Sequence, residues 1–357
     1  MSYNQISGRA KRIQQEAIVI DMLQGSSDMA MTWPKDELAY FKQAVDAGVS
    51  AIHFTIPETS AIPELTDDFA AAVKQIVYLR KAVSGSEYVK MAYTTDDIES
   101  AKKEGKVALI LCLQDPIPYE RDLALIEFFH DLGVTVMQPA YYQQTYLCAG
   151  CGESVDHGLT DQGRKAIKEM NRLGILIDVS HVGDRSAMEI IDLSAAPIAI
   201  THSTTSTLVE LQRARSDEVI KAACKKGGMI GQLIASMFNE RRDRMGLRPT
   251  LDDCIEIIDY LVELVGVDHV GFASDLDPFE KKDAYDRWFS LEEYGSMFLP
   301  HKPPPFEERC CKGWNSITDL IKFTEALLRH GYSDDHVKKL LGGNFLRLLK
   351  DVWSSKV

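Results

Sequence analysis

The sequence predicts an α/β protein built as a closed (β/α)8 TIM barrel, and three observations support this fold class. Short apolar runs rich in β-branched residues alternate with segments of helical length along most of the chain. Most of these runs are continuously apolar, which indicates parallel strands that are covered on both faces. The length of 357 residues fits one barrel with loop insertions.

The elements can be assigned in order along the chain. Strands are predicted at residues 16–21, 49–55, 107–114, 134–140, 175–179, 197–201, 228–234 and 270–275. Helices are predicted at residues 34–47, 67–83, 95–104, 120–132, 161–173, 184–194, 216–226, 251–265, 317–330 and 334–353, with a long polar loop at about 278–314. The pair Thr94–Thr95 begins one of these helices with capping side chains, and Gly227–Gly228 ends another.

The alternative fold is an open, doubly wound sheet. No Gly-x-Gly-x-x-Gly motif follows the first predicted strand, which removes the main reason to prefer that fold. No internal repeat or linker divides the chain. We therefore expect residues 1–357 to form a single barrel domain with C-terminal helices.

Charge and composition exclude several classes of partner. The net charge is −13 and no long basic run occurs, so neither nucleic acid nor an anionic membrane surface is expected as a partner. No window has the apolar length of a membrane span, and the first residues lack an apolar signal core. These features predict a cytoplasmic protein with seven reduced cysteines. A small-molecule substrate is the expected partner. The sequence is also compatible with a homo-oligomer.

The stretch at residues 174–204 is the centre of the predicted site. Two apolar runs within it are each followed closely by a histidine, His181 and His202, and a helical pattern lies between them. Such a βαβ unit has parallel strands, so both histidines should lie at the same C-terminal edge of the sheet. Two neighbouring imidazoles can bind one transition metal. The alternative is that each histidine is a hydrogen-bonded structural residue at a strand end.

Other polar residues are predicted at the same edge. Asp275, in the sequence SDLD, is a candidate metal ligand or proton acceptor, with an N-cap of the following loop as the alternative. Arg213, in LQRARSDE, could bind a substrate carboxylate through two hydrogen bonds. Arg215 competes for that role, and if Arg213 holds it we expect Arg215 to point to solvent. His53 lies inside an apolar run, which favours a buried structural role.

Two further motifs carry less weight. Cys148-Ala-Gly-Cys151 has metal-like spacing, but no second pair of that kind exists, and Cys310–Cys311 are adjacent. We interpret the first pair as loop cysteines, because a structural metal normally needs four ligands. Ser180 and Ser203 flank the histidines without a Gly-x-Ser-x-Gly elbow, so a serine hydrolase is not favoured.

Taken together, six segments resemble the membrane (renal) dipeptidase family of zinc peptidases. They are DQGRKAIKEMNRLG, IDVSH, THST, QRARSDE, DHVGFASDLD and LLGGNFLRLL, in that order and spacing. The resemblance covers nearly the whole chain. It implies an amidohydrolase-like (β/α)8 barrel and the hydrolysis of small dipeptides, including those with a D-residue at the C-terminal side, by a water that bridges two zinc ions.

The resemblance transfers to individual positions. His181 and His202 match the two histidine ligands of one zinc, and Arg213 matches the arginine that holds the substrate carboxylate. Asp275 matches the aspartate that handles protons near the water. Tyr141 stands where the family has a histidine that contacts the substrate.

The other zinc position departs from the family. Its His-x-Asp pair falls on Leu23 and Gly25, and the glutamate that bridges both metals falls on Gln114. A neutral amide is a poor bridge between two cations. Asp28 and His53 are the only nearby residues that could replace the lost ligands, and we do not favour them.

The sequence therefore predicts a dipeptidase-like metal-dependent hydrolase with a reduced, single-metal site. Its substrate would be a small carboxylate-bearing amide or dipeptide, with Arg213, Tyr141 and Gln114 lining the substrate pocket. At most one ion is expected, zinc or another divalent metal. The alternatives are a non-hydrolytic barrel enzyme (a lyase, isomerase or decarboxylase using one metal or none) and a non-catalytic small-molecule binding protein.

Overall fold

Strands and helices alternate along the chain. The computed structural model describes residues 5–25, 35–56, 68–239, 245, 247–276, 282–283, 285–286 and 304–354. The strands are β1 (Ile20–Gln24), β2 (Ala51–Ile56), β3 (Val89–Met91), β4 (Val107–Leu113), β5 (Val134–Met137), β6 (Leu176–Ile177), β7 (Ala199–Ser203), β8 (Met229–Leu233) and β9 (Val270–Ala273). The helices are α1 (Gly8–Glu16), α2 (Lys35–Asp46), α3 (Asp68–Ser84), α4 (Thr95–Glu104), α5 (Ala124–Asp131), α6 (Asp161–Leu173), α7 (Asp184–Leu193), α8 (Asp217–Lys225), α9 (Leu251–Val265), α10 (Leu320–Arg329), α11 (Asp334–Lys338) and α12 (Asn344–Trp353).

The strands close into a barrel. Strands β1, β2, β4, β5 and β6 pair in that order, β7, β8 and β9 form a second parallel sheet, and β3 pairs only with β4. Two parallel bridges join the sheets: Asp178 pairs with Ala199 on one side, and Gln24 pairs with Leu276 on the other. The (β/α)8 fold class is therefore confirmed, with the C-terminal strand ends at one mouth.

Burial explains why the strand sequences are apolar throughout. Every residue of β1, β2, β4, β7 and β8 is buried, as expected for strands that face the barrel interior on one side and helices on the other. Helix α6 shows how local sequence sets the boundaries. The Thr160 side chain accepts from Gly163 N at its start, and Gly174 ends it in a left-handed conformation with φ 73°.

Several predicted boundaries are wrong. The first strand was expected at residues 16–21, but it begins at Ile20, because helix α1 runs as far as Glu16 and is capped by Ser7. The sequence analysis missed α1 and the short strand β3. The predicted helix at 334–353 is interrupted by a π-helical turn at Lys339–Gly343. A Cβ on Gly342 would lie 2.6 Å from the backbone nitrogen of Ile20. Only a glycine therefore lets this turn lie so close to β1.

Part of the predicted polar loop lies outside the described residues, as do Asp28 and Asp277. Its last portion is described and contains a short 3-10 turn, Phe306–Glu308. Among the helices of the described ranges, none is both long and apolar enough to cross a membrane.

Candidate active site

The two predicted histidines meet at the barrel mouth. His202 belongs to β7, and His181 follows β6, the neighbouring strand. Their Nε2 atoms are 2.9 Å apart, and both side chains are buried. The prediction that the βαβ unit brings them together at one edge is therefore confirmed in its geometry.

A hydrogen-bond chain fixes the tautomer of His202. Its Nδ1 lies 2.7 Å from Thr201 Oγ1, and that hydroxyl donates to Asp178 Oδ2 at 2.6 Å. A hydroxyl has only one proton to donate, so His202 Nδ1 must carry the proton that it shares with Thr201. Nε2 of His202 is then unprotonated, so it accepts a hydrogen bond from His181 Nε2 in this structure and is the nitrogen that could bind a metal. Asp178 is held in turn by Ser180 N at 3.0 Å and Ser180 Oγ at 2.5 Å.

Aromatic stacking orients His181. The Tyr141 ring lies against it, with centroids 4.2 Å apart and an interplanar angle of 26°. Its Nδ1 is buried without a hydrogen-bond partner among the described residues. Tyr141, which follows β5, therefore borders the histidine pair, as the sequence analysis expected of a pocket residue.

Electrostatics keep both imidazoles neutral. Burial, followed by the positive charge of Arg213, holds the pKa of His181 and of His202 well below the ordinary histidine value. Metal ions bind neutral imidazole, so the same environment that disfavours protonation keeps the pair available to a cation.

Arg213 is buried next to the two segments that carry the histidines. Its Nη1 donates to the carbonyl of Ser180, and its Nη2 donates to the carbonyl of His202 at 2.8 Å. These contacts tie the arginine to both histidine-bearing segments. Each Nη carries a second proton, so the guanidinium retains donors beyond these two bonds.

Arg215 does not point to solvent, so that expectation is wrong. Its side chain is buried, forms an ion pair with Asp184 at 3.1 Å, and donates to the carbonyls of Val182 and Gln212. Asp184 begins helix α7, so Arg215 joins the start of this helix to the loop after β7. These contacts indicate a structural role for Arg215.

Asp275 follows β9 at the mouth in a left-handed conformation with φ 51°. Aspartate tolerates this conformation better than most residues. Asp275 is exposed by its surface area, although protein atoms crowd its carboxyl group. This environment raises the pKa of Asp275 to about 6, and the charge of Arg213 acts in the opposite direction. A carboxyl group with that pKa is suited to accept a proton near neutral pH.

Neighbouring residues fix the backbone of Asp275. Its amide donates to the carbonyl of Leu23 at 3.0 Å. The preceding residue, Ser274, donates to Asp21 through its amide at 2.8 Å and its hydroxyl at 2.5 Å. Gln24 Nε2 also donates to Asp21, at 2.7 Å. The seam between β1 and β9 is thus closed by a buried polar network that sequence analysis did not find.

The residues that the family resemblance places at the second metal position are apolar or uncharged. Leu23 is a buried apolar residue. A Cβ on Gly25 would lie 2.7 Å from the Thr55 methyl Cγ2, so an aspartate does not fit there without displacement of Thr55. Gln114 is buried directly after β4 and carries no charge. His53 is buried within β2, with Nδ1 2.6 Å from Met22 O and with Nε2 unpartnered among the described residues.

The donor set fits one metal ion with open coordination positions. Two neutral imidazoles converge through Nε2, and a hydroxyl–carboxylate chain holds one of them in the correct tautomer, as is common behind metal-binding histidines. No group of three or more His, Cys, Asp or Glu side chains that could hold a metal occurs among the described residues. The remaining positions on such an ion would fall to water or substrate.

The family model for membrane dipeptidases (peptidase family M19) matches residues 8–284 of this chain. The chain belongs to the membrane dipeptidase family. The family resemblance drawn from the six sequence segments is therefore confirmed.

Individual relatives agree with this assignment. A dipeptidase of Claviceps purpurea is 24% identical over 302 residues, which cover 81% of this chain and 64% of that protein. An uncharacterized dipeptidase of Schizosaccharomyces pombe is 31% identical over 265 residues, which cover 71% of this chain and 55% of that protein. The chain thus spans only part of the length of these two relatives. The crystal structure of an amidohydrolase from Pseudomonas aeruginosa superposes with a TM-score of 0.83 at 28% identity, over 96% of this chain and 99% of that one.

Several of the residues predicted for the site lie close together in the structure. The structure brings together His181, His202, Arg213 and Tyr141, and places Asp275 within electrostatic reach of Arg213. Gln114 is buried at the mouth edge of β4, without a described contact to the histidines. The roles of these residues in binding and catalysis stay predictions.

Sequence analysis missed the residues that orient the site. Asp178 and Thr201 stand inside the apolar runs that precede the two histidines, and a polar residue in such a run is a recognisable signal. Asp21 and Ser274 are 253 positions apart, and only the closed barrel reveals their contact.

Proposed function

We propose that this chain is a dipeptidase-like hydrolase that uses one divalent metal ion, with His181 and His202 as its protein ligands. The observation that carries the proposal is the convergence of the two Nε2 atoms, 2.9 Å apart, with neutral imidazoles and a fixed tautomer at His202. When bound, such an ion would supply Lewis-acid activation of water and of an amide carbonyl. Zinc is the ion that we favour, because two imidazoles and open positions suit it.

Asp275 would act as the general base. Its carboxylate takes a proton from the water that attacks the amide and can return that proton to the leaving amine. The hydrogen bond from its amide to Leu23 and the contact between Ser274 and Asp21 hold its backbone in place. The pKa of about 6 leaves Asp275 ionised at neutral pH while keeping it more basic than an ordinary aspartate.

Arg213 would orient a substrate carboxylate, and the Tyr141 ring and Gln114 would line the same pocket. The arginine lies next to the segments that carry both histidines and retains N–H donors after its two carbonyl contacts. A substrate held this way is a small amide or dipeptide with a free carboxylate. No step is assigned to a second metal, because Leu23, Gly25 and Gln114 do not fit one.

The same departures favour a second candidate, a non-hydrolytic barrel enzyme such as a lyase, isomerase or decarboxylase. Gln114 is neutral where a bridging carboxylate would stand, so a dinuclear clamp on the tetrahedral intermediate of amide hydrolysis is lacking. In this candidate the one-metal pocket would still bind a carboxylate substrate through Arg213.

We also infer that one barrel domain comprising residues 1–357 carries this chemistry, with the C-terminal helices as part of it. Asn344, the first residue of α12, supports this inference by donating to the carbonyls of Val267 at 2.6 Å and Val270 at 2.8 Å. Localisation in the cytoplasm, a small-molecule partner and a possible homo-oligomer stay predictions.

The deciding experiment measures metal content and hydrolysis on the same preparations. Protein purified without chelator is analysed for metals and then assayed with zinc against a panel of dipeptides containing L- or D-residues at the C-terminal position. We expect at most one ion per chain, and loss of that ion together with hydrolysis in His181→Ala and His202→Ala. The matched control is His336→Ala, a substitution on the exposed face of α11.

Each result has a distinct meaning. Two ions per chain would refute the single-metal site. One ion without hydrolysis of any dipeptide would favour the non-hydrolytic enzyme, and retention of the ion by both histidine variants would refute the assignment of ligands.

A further inference from the structure

A pair of cysteines lies outside the histidine site, between the end of β8 and the first turn of α9. The Sγ atoms of Cys254 and Cys311 are 2.8 Å apart, although neither cysteine is in a disulfide. Both side chains are fully buried. They share one acceptor, because Cys311 Sγ donates to the Ile234 carbonyl at 2.7 Å and Cys254 Sγ lies 4.0 Å from the same oxygen.

The backbone on one side of Cys311 is fixed by the chain that follows β8. Ser236 N donates to Arg309 O at 2.9 Å, and Ala235 and Cys310 form an antiparallel bridge. The segment at residues 309–310 therefore runs as an added strand beside residues 235–236.

The other side of Cys311 is fixed by the chain that leads into α9. Lys312 N donates to Pro249 O at 2.7 Å, and Leu251 N donates to Lys312 O at 3.2 Å. Cys254 lies in the first turn of α9, whose start is fixed by a capping box between Thr250 and Asp253. Both cysteines are thus held in place by backbone contacts that do not depend on the sulfur atoms.

We propose that Cys254 and Cys311 are a redox modification site that forms an intramolecular disulfide. A disulfide bond is about 2.05 Å long, so the two sulfur atoms need to approach by less than an ångström. Each thiol loses its proton and together they lose two electrons, and one S–S bond forms. The oxidant is hydrogen peroxide, which is reduced to two waters, or a low-molecular-weight disulfide, which is reduced to two thiols.

The bond would close a long loop that contains functional residues. The two cysteines are 57 positions apart, and the chain between them includes most of α9, strand β9 and Asp275. A cross-link of this span restricts the unfolded chain and stabilises the native one. The bond would link the segment at Cys311, which follows the loop after Asp275, to helix α9, which precedes β9.

Burial determines when the bond forms. The pKa of the Cys311 thiol is raised well above the ordinary value by burial, followed by its contact with Cys254, so the reactive thiolate is scarce in the folded chain. The folded protein should therefore oxidise slowly, and the bond should form readily when the chain folds in an oxidising buffer or opens locally.

The test compares two ways of oxidising the full-length chain. In one, native protein is incubated with excess oxidised glutathione. In the other, reduced protein is refolded from urea in a glutathione redox buffer. Free thiols are then alkylated, and peptides are mapped by mass spectrometry. We expect a Cys254–Cys311 linked peptide after refolding, loss of two of the seven alkylatable thiols, and slower formation of the same peptide in the native sample.

Variants separate the proposed pair from its neighbours. Cys254→Ser and Cys311→Ser should abolish the linked peptide. Cys310→Ser tests the adjacent thiol, Cys224→Ser is a matched buried cysteine in α8, and both should leave the linked peptide unchanged. The oxidised wild-type chain should unfold about 5 °C above the reduced chain, a difference that Cys254→Ser removes.

Two results would overturn the proposal. One is full alkylation of Cys254 and Cys311 after both treatments, in protein that has regained its native circular dichroism. The other is a linked peptide that joins Cys254 to Cys310. Metal content and hydrolysis of dipeptides play no part in these readouts, so the proposal stands or falls independently of the proposed function.

Discussion

Tyr141 stacks on His181, with ring centroids 4.2 Å apart and planes 26° from parallel. A stack of this kind contributes about 1 kcal/mol, so its loss should weaken metal binding roughly fivefold. We expect Tyr141→Ala to bind zinc about fivefold more weakly than wild type by isothermal titration calorimetry, and Tyr141→Phe to retain nearly full affinity.

The adjacent tyrosine supplies a control for this prediction. The hydroxyl of Tyr142 donates to Gln212 Oε1 at 2.8 Å, which ties its loop to the arginine-bearing loop. Tyr142→Phe should leave zinc affinity unchanged. Equal affinities for Tyr141→Ala and wild type would show that the stack does not support the imidazole.

The raised pKa of Asp275 predicts where activity falls on the acid side of the pH profile. A general base works only when it is deprotonated, and desolvation by the surrounding protein atoms raises the pKa of Asp275 to about 6. We therefore expect kcat/KM for the best dipeptide to be constant above this pH and to fall about tenfold per unit below it. An ordinary aspartate would keep the rate constant down to about pH 4.

A charge variant tests the assignment of this limb. Arg213 lowers the pKa of Asp275, so its removal should raise that pKa. In Arg213→Gln the acid limb should move to higher pH, and in Asp275→Asn the residual rate should lose this limb. An unshifted limb in Arg213→Gln would assign the titration to another group.

The two buried arginines should respond differently to substitution. Loss of the Arg213 contact to a substrate carboxylate should cost on the order of 2–5 kcal/mol in kcat/KM for Arg213→Ala. Arg213→Lys should recover only part of this, because lysine keeps the charge but lacks the planar fork.

Arg215→Ala should act mainly on stability. It removes an ion pair to Asp184 and donors to two backbone carbonyls, a loss on the order of 2–3 kcal/mol in the free energy of unfolding by urea titration. A result in which Arg215→Ala loses kcat/KM while Arg213→Ala does not would place the carboxylate anchor two residues further along the loop.

The barrel could be predicted from the sequence because its helices and strands are signalled by residues that are close together in the chain. Helix α4 begins and ends where Thr94 and Gly105 cap it, and α9 begins where Thr250 and Asp253 form a capping box. The histidine pair was also predictable, since parallel neighbouring strands must end at the same edge. Polar helix α1 was missed because its few apolar residues give a weak periodic signal next to the apolar run that follows it.

Contacts between distant residues could not be predicted in this way. Asp21 accepts from Ser274 only because the first and last strands of the barrel become neighbours. Arg215 carries a charge in a polar loop, which normally indicates exposure, yet the carbonyls of Val182 and Gln212 and the carboxylate of Asp184 offset the cost of burying it.

Substitutions can test the proposal that this chain lacks the ligands of a second metal. The substitutions Leu23→His, Gly25→Asp and Gln114→Glu restore the ligands of the second metal position, but Gly25→Asp places a Cβ 2.7 Å from Thr55 Cγ2. Thr55 Oγ1 donates to Ile56 O at 3.0 Å, so Thr55→Ser removes the obstructing methyl and keeps this hydrogen bond. We expect the fourfold variant to bind a second zinc ion, because it supplies an imidazole, a carboxylate and a bridging carboxylate in the family's positions.

Metal content per chain should therefore rise from one ion at most in the wild type towards two in the fourfold variant, and hydrolysis of dipeptides should increase with it. The triple variant that retains Thr55 is the matched control. The contact with Thr55 forces either the introduced aspartate side chain or the end of β1 to shift, so this variant should bind the second ion more weakly. Equal metal content in the triple and fourfold variants would show that the Thr55 methyl is not what blocks the second metal. A fourfold variant that folds normally and binds no second ion would place the obstacle at Leu23 or Gln114, or elsewhere along the mouth.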